Sequence, residues 1–236
     1  MRRALRLFFN IILIAVLAGA IAAAFWLGIV PQRYSPFPPI TLDEAPGIFL
    51  DAQLATLRRE PEICRAALKA PYILATQVAD NPFKNGCGWR NSVRVQGAAG
   101  IDLSVEPLTC EMAAALALWI NYSMQPAAEE ILGSRVKRIR DMGTYDCRNI
   151  IGNKLWRSMR SEHAKANAID IAGFVLEDGR EISVAKDWKG EGPQAKFLQE
   201  VHRRSCRFFR VALSPDFNAA HHDHFHFDRG LLWRCK

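Results

Sequence analysis

The amino-acid sequence predicts an α+β fold, a small and mainly antiparallel sheet with packed helices, preceded by one N-terminal transmembrane helix. Three observations carry that expectation. Residues 11–30 are a run of twenty positions without a charge or strong polar group, which as a helix rises ~30 Å and matches the hydrocarbon thickness of a bilayer. Beyond that run, stretches with helical spacing of apolar residues and stretches of period-two alternation follow one another, the pattern of helices packed on an antiparallel sheet. The 236 residues are 50% apolar and 23% charged, which suits one substantial core and excludes disorder of the whole chain. No internal repeat is visible, which argues against a solenoid or propeller.

Three regions are expected: a membrane anchor over 1–30, a Pro-rich tether over 31–46 and a folded domain over 47–236. Ala18-Gly19-Ala20 and Ala22-Ala23-Ala24 also resemble signal-peptide cleavage sites. The apolar run nevertheless exceeds the roughly 7–15 residues of a signal-peptide core, and Phe25-Trp26-Leu27 prolongs it, which favours an uncleaved anchor. Arg2, Arg3 and Arg6 precede the run and hold the N-terminus in the cytoplasm, so everything after Val30 is expected to be exported. Pro31, Pro36, Pro38, Pro39 and Pro46 are five of the twelve prolines, and the segment reads as a stiff spacer that holds the domain off the membrane.

The net charge of +7 falls to +4 beyond the anchor, where 28 basic residues face 24 acidic ones. Arg135, Lys137, Arg138 and Arg140 cluster without any nucleic-acid motif, so they read as a solvated face and no nucleic-acid partner is expected. Cys64, Cys87, Cys110, Cys147, Cys206 and Cys235 all follow the anchor, none in a C-x-x-C pair. An even number suits three disulfides in an oxidising compartment. Six cysteines allow about fifteen connectivities; pairing neighbours in order gives 64–87, 110–147 and 206–235.

Along the domain, residues 51–70 are helix-like, with Pro61 as a break or first-turn residue. Residues 110–124 form a helix ended before Pro126, 127–132 a further short one and 194–207 a third. Residues 168–176 and 181–184 alternate about Asp178-Gly179 as a hairpin. Residues 208–213 and 222–228 look like further strands.

The histidines carry most of the chemical information. Four of the six, His221, His222, His224 and His226, fall within six residues, and His163 lies seven residues before Asp170. Read as a strand, residues 222–228 put His222, His224 and His226 on one face and Asp223, Phe225 and Phe227 on the other. A catalytic zinc site uses three nitrogen or carboxylate ligands and leaves the fourth position open. The strand supplies one or two, and His163 with Asp170 supplies the rest. Asp170 lies in the apolar run 168–172, where an unpaired carboxylate is costly to bury and a cation removes that cost. His202 stands apart on the 194–207 helix and reads as a surface or capping residue.

Ser161-x-His163-x6-Asp170 followed by Asp223-His224-x-His226 resembles the zinc metallopeptidases that include D-alanyl-D-alanine carboxypeptidases, murein endopeptidases and the hedgehog signalling domain. Within that group, Tyr145-x-Cys147-Arg148, Asn167-Ala168-Ile169-Asp170 and the 221–228 segment resemble the bacterial extensin-like C-terminal domain family, over roughly residues 63–235. The resemblance implies that His163, Asp170 and His226 ligate Zn2+. It implies His224 as catalytic base, with Asp223 as a further candidate for that role and His221 as a third candidate for a base or a substrate contact. In a regular strand Asp223 points away from His226, so a bulge or turn is needed to bring it in.

Arg148 is then a candidate for a substrate carboxylate, since a guanidinium fork matches it in two-point geometry. Ser161 would hold the substrate backbone or fix the His163 loop. Ala166 departs from the glycine the family pattern usually has there. The implied function is zinc-dependent hydrolysis of amide bonds in peptidoglycan stem peptides or cross-links, of endopeptidase or carboxypeptidase type; the alternative is a non-catalytic, zinc-stabilised cell-wall-binding or scaffold domain. The implied location is the bacterial inner membrane, single-pass, with the domain in the periplasm, or export if the N-terminal segment is cleaved.

Overall fold

The computed structural model describes residues 2–152 and 155–236. Helix α1 (Arg2–Trp26) contains a span, Leu5–Trp26, long and apolar enough to cross a membrane, and none of that span is buried against the rest of the molecule. The span begins and ends earlier than the 11–30 expected. Gly28 adopts φ +63°, and a Cβ there would lie 2.4 Å from the Ala55 carbonyl oxygen. Only glycine fits that conformation and approach, and it closes the helix.

Residues 31–46 are seated on the domain rather than standing free as an extended spacer. Ile40 and Leu42 belong to the core, and the Tyr72 and Tyr122 hydroxyls donate to the Leu42 carbonyl at 2.6 and 3.2 Å. Burial of two apolar side chains outweighs the extended preference of the prolines around them. Helices α2 (Leu50–Leu57) and α3 (Pro61–Ala67) follow, with Pro61 in the first turn of α3 where its missing N–H costs nothing.

A stretch not read as strand in the sequence then forms β1 (Ile73–Val78), the hairpin β2 (Asn81–Lys84) and β3 (Cys87–Trp89), β4 (Ser92–Ala98) and β5 (Ile101–Thr109). The turns between β2 and β3 and between β4 and β5 carry Asn85-Gly86 and Ala99-Gly100, all four at positive φ, as tight hairpin turns require. Helix α4 (Cys110–Trp119) is capped by the Thr109 hydroxyl and runs through a π-turn at Ile120–Met124 directly into α5 (Gln125–Leu132). The expected stop before Pro126 therefore does not occur: the widened turn accommodates the proline ring that a regular helix would reject.

Strands β6 (Val136–Gly143), β7 (Ala168–Leu176) and β8 (Glu181–Ser183), helices α6 (Val184–Asp187) and α7 (Pro193–Ser205), and strands β9 (Val211–Leu213), β10 (Phe225–Asp228) and β11 (Arg234–Cys235) complete the chain. The sheet order is β1-β4-β5-β6-β7-β10-β9-β11, with β8 also paired to β7. The α+β class stands, but these nine strands make a larger sheet than expected, and β5–β6 and β9–β11 are parallel. Trp119 of α4 lies against Phe174, Phe209 and Phe227, joining the helices to the sheet at the centre of the core.

The disulfides are Cys64–Cys110, Cys87–Cys147 and Cys206–Cys235. The last agrees with the order-neighbour pairing and the other two correct it. Helix α3 packs on the start of α4, and β3 lies beside the loop after β6, so spatial neighbours replace sequence neighbours. Two of the four residues of the basic cluster are tied to the protein itself, Arg135 to Glu129 and Arg140 to Glu181, while Lys137 and Arg138 face solvent.

A charged network is buried behind β10. Asp51 accepts from Arg210 at 2.9 Å through both oxygens and from Arg229 at 2.7 Å, and Glu111 accepts from Arg229 at 2.8 Å and Arg58 at 2.7 Å. Remaining arginine donors reach the carbonyls of Phe208, Gly230 and Arg229.

Candidate functional site

Strand register brings together residues that lie far apart in sequence. In the antiparallel pairing of β10 with β7, His226 lies directly across from Asp170. A slip of one residue would send both side chains to the opposite face, and Phe225 and Phe227 forbid it because both are fully buried in the core. His163 is delivered by a short 3-10 turn (Glu162–Lys165) just before β7. The Ser161 hydroxyl caps that turn by accepting from the His163 N–H at 3.3 Å, and Ala166 closes it at φ 55°. Ser161 thus fixes the His163 loop. Ala166 occupies a left-handed conformation, the reason a glycine suits this place.

The regular strand expected over 222–228 begins only at Phe225. A 3-10 turn (Ala219–His221) capped by Asn218 leads into a turn over residues 222–224. That turn supplies the irregularity Asp223 needs: its carboxylate accepts from His224 Nδ1 at 2.8 Å. His222 is exposed and its Nδ1 meets the Ala219 carbonyl, so it does not join the imidazole face that strict alternation assigns to it.

Three atoms converge. His163 Nε2, His226 Nδ1 and Asp170 Oδ1 are 3.2, 3.1 and 2.9 Å apart. Their outer hydrogen bonds decide which nitrogens carry protons. His163 Nδ1 donates to the Thr144 carbonyl at 3.2 Å, and His226 Nε2 donates to Asp228 Oδ2 at 2.9 Å. In the neutral rings, both nitrogens that face Asp170 are therefore lone pairs. Two imidazole lone pairs and a carboxylate oxygen aimed at one another need a proton or a cation between them. His163, Asp170 and His226 are the group able to hold a metal ion among the described residues. A tetrahedron with bonds of about 2.0–2.1 Å has edges of about 3.3 Å, close to the observed triangle, so the donor set fits.

Electrostatics agree. Burial pushes the Asp170 carboxyl up, but hydrogen bonds from His163 and His226 outweigh it and hold it well below the usual carboxylate range. Burial pushes His226 down, yet Asp170 and Asp228 on its two sides raise it to about 10. Both shifts favour the charged forms of Asp170 and His226, so binding of a metal there would be coupled to release of a proton.

A third imidazole borders the triangle. His224 Nε2 is 3.7 Å from Asp170 Oδ1, and its Nδ1–H to Asp223 leaves that nitrogen as an acceptor facing the site. His221 packs ring to ring on His224 and His226 at 5.3 and 5.7 Å and donates from Nδ1 to Asn218 at 2.7 Å. Burial, with His226 and His224 beside it, lowers its pKa to about 4. Arg148 is partly exposed and pairs with Asp146 at 2.9 Å; its charge is felt at His221.

Two features escaped the sequence reading. Asp228 shares the parity of His226 on β10, so alternation could have found it; the Thr144 carbonyl is backbone and leaves no sequence signal. His202 is corrected from surface to core, packed between Trp188 and Phe225.

The fold and site define an α+β domain with a buried His–Asp–His donor triangle behind an N-terminal apolar helix. The Extensin-like protein C-terminus family model matches residues 62–236, and the chain belongs to that family. No curated protein and no solved structure matches it.

Proposed function

We propose that the domain is a zinc-dependent peptidase that hydrolyses amide bonds in peptidoglycan stem peptides or cross-links, held at the bacterial inner membrane by α1 with the domain in the periplasm. The observation that carries this reading is the convergence of His163 Nε2, His226 Nδ1 and Asp170 Oδ1 with their lone pairs turned inward. When bound, zinc supplies Lewis-acid polarisation of the scissile carbonyl and acidifies water. Asp228 and Thr144 orient the two imidazoles, and Asp170 contributes the negative charge. The Nδ1–H bond to Asp223 fixes the His224 tautomer so that Nε2 is the free nitrogen of the neutral ring, and Nε2 takes a proton from water and returns it to the leaving amine. Asp223 is thereby the residue that orients the base rather than the base. Arg148, with part of its fork in solvent, receives a substrate carboxylate; His221 packs on His224 and His226 beside the triangle. The three disulfides support an extracytoplasmic location.

The test is elemental analysis of tag-free protein followed by incubation with cross-linked muropeptides. One zinc per chain and release of new amines are expected. His224→Ala should cut turnover by ~10²–10⁴-fold with zinc retained. Zinc without cleavage across a broad muropeptide panel would favour the zinc-stabilised wall-binding domain, and absence of bound metal under metal-replete conditions would end both readings.

A further inference from the structure

Where α1 joins the domain, apolar side chains form a ridge that the fold leaves uncovered. Trp26, the last residue of α1, is 38% exposed, Ile29 49%, Phe49 41% and Ile48 84%. The ridge is continuous: the Trp26 ring meets Phe37 at 6.2 Å between centroids, and Phe37 meets Phe49 at 4.9 Å. It borders a groove of ≈ 300 Å³ lined in part by Pro38, Ile40, Pro46 and Leu50. A contiguous exposed apolar surface of this kind marks an interaction site.

The backbone fixes the ridge at the level of the helix end. Gly28 turns the chain against the Ala55 carbonyl with no room for a side chain, and the Gln32 N–H donates to Glu60 at 2.6 Å. No slack therefore separates α1 from α2. A tryptophan at the end of a spanning helix sits at the membrane–water interface. Each ring-to-ring step, 6.2 and 4.9 Å, is comparable with the depth of about 5–10 Å at which apolar faces enter the boundary between headgroups and acyl chains.

We propose that Trp26, Phe37, Ile48 and Phe49 seat the domain directly on the interfacial zone of the bilayer that α1 crosses. The inference rests on α1 as a membrane span and is independent of the peptidase reading. The occupant is the apolar boundary of a phospholipid bilayer rather than an anionic headgroup. None of the four residues is charged, and the neighbouring exposed Asp43 and Glu44 are balanced by the exposed Arg33 and by Arg207, which donates to the Pro46 carbonyl. Apolar burial carries the contact, so lipid charge should matter little.

Full-length protein in phosphatidylcholine nanodiscs tests this. All six native cysteines are in disulfides, so a nitroxide can be placed selectively on Ile48→Cys, on Leu17→Cys within the span and on Lys186→Cys on exposed α6. The expected result is a ratio of oxygen to nickel-chelate accessibility at 48 several-fold above that at 186 and approaching that at 17, unchanged when phosphatidylglycerol replaces the neutral lipid. A ratio at 48 equal to that at 186 while 17 is lipid-like would overturn the docking and leave the span intact. If 17 is also water-like, the span itself is refuted. Dipolar broadening between labels at 48 would assign the ridge to a second copy of the chain, and insertion only with anionic lipid would assign it to headgroup charge; either result defeats the proposal.

Discussion

Two buried polar clusters lie on either side of β10, and they are built on opposite rules. In the network of Arg58, Glu111, Arg229, Asp51 and Arg210, donors meet acceptors throughout, and both carboxylates are shared between two guanidinium groups. In the cluster of His163, Asp170 and His226, the outer hydrogen bonds turn acceptors toward acceptors. The first is closed and needs nothing further. The second is satisfied only by an added proton or cation. Burial of charge does not by itself distinguish architecture from chemistry; the direction of the hydrogen bonds does.

The comparison sharpens under mutation. Breaking the closed network should have the largest effect on stability: Asp51→Ala leaves Arg210 buried without its carboxylate and takes one of two from Arg229, and should cost ~3–5 kcal/mol in urea denaturation. Metal content per folded molecule should be unchanged. Loss of metal together with fold would show that the two clusters are one unit.

Acidification probes the same pair. Burial pushes the Asp51 carboxyl up, but Arg210 and Arg229 outweigh it and hold it below its ordinary value. Its contribution is therefore complete above the unfolded carboxylate pKa of about 3.9 and is lost as pH falls through the lower folded value. The stability gap between the native chain and Asp51→Asn should be constant near neutrality and narrow below about pH 4. A gap that widens on acidification would contradict the assigned ionisation.

On the open side, Asp228→Asn removes the anion that fixes the His226 tautomer while keeping its size. Metal affinity measured against a competing chelator should fall ~10–100-fold with little change in denaturation midpoint. Unchanged affinity would remove Asp228 from the site. The smallest effect is expected at Ala166→Gly, which relieves a left-handed alanine and should stabilise the fold by ~1 kcal/mol, read as a rise in melting temperature without change in metal binding.

What the sequence made legible follows from how local each signal is. The apolar run, the Asp178-Gly179 hairpin and the 194–207 helix are written in consecutive residues, and each corresponds to an element of the structure with ends moved by a few positions. His163, Asp170 and His226 were legible through two short motifs, although the cross-strand register that unites them is a property of β7 and β10 together. The alternation of Ile101, Leu103 and Val105 around Ala99-Gly100 was also present and was passed over, so half the sheet went unread. Other features leave no local trace. Arg229 finds Asp51 from 178 positions away, and the pairing of Cys64 with Cys110 depends on α3 packing on α4. The turn that brings Asp223 to His224 interrupts a pattern that alternation alone extends without a break.

The Cys87–Cys147 bridge fastens the loop that carries Thr144, Asp146 and Arg148 to the β2–β3 hairpin, closing a circuit of 60 residues. That loop supplies the carbonyl that anchors His163 and the Arg148–Asp146 pair whose charge is felt at His221. In a reducing compartment the bridge does not form, and the loop is released from one of its moorings. The carbonyl that orients His163 is thus held in place by the oxidation of two thiols 60 residues apart, so the geometry of the histidines answers to the redox state of its surroundings.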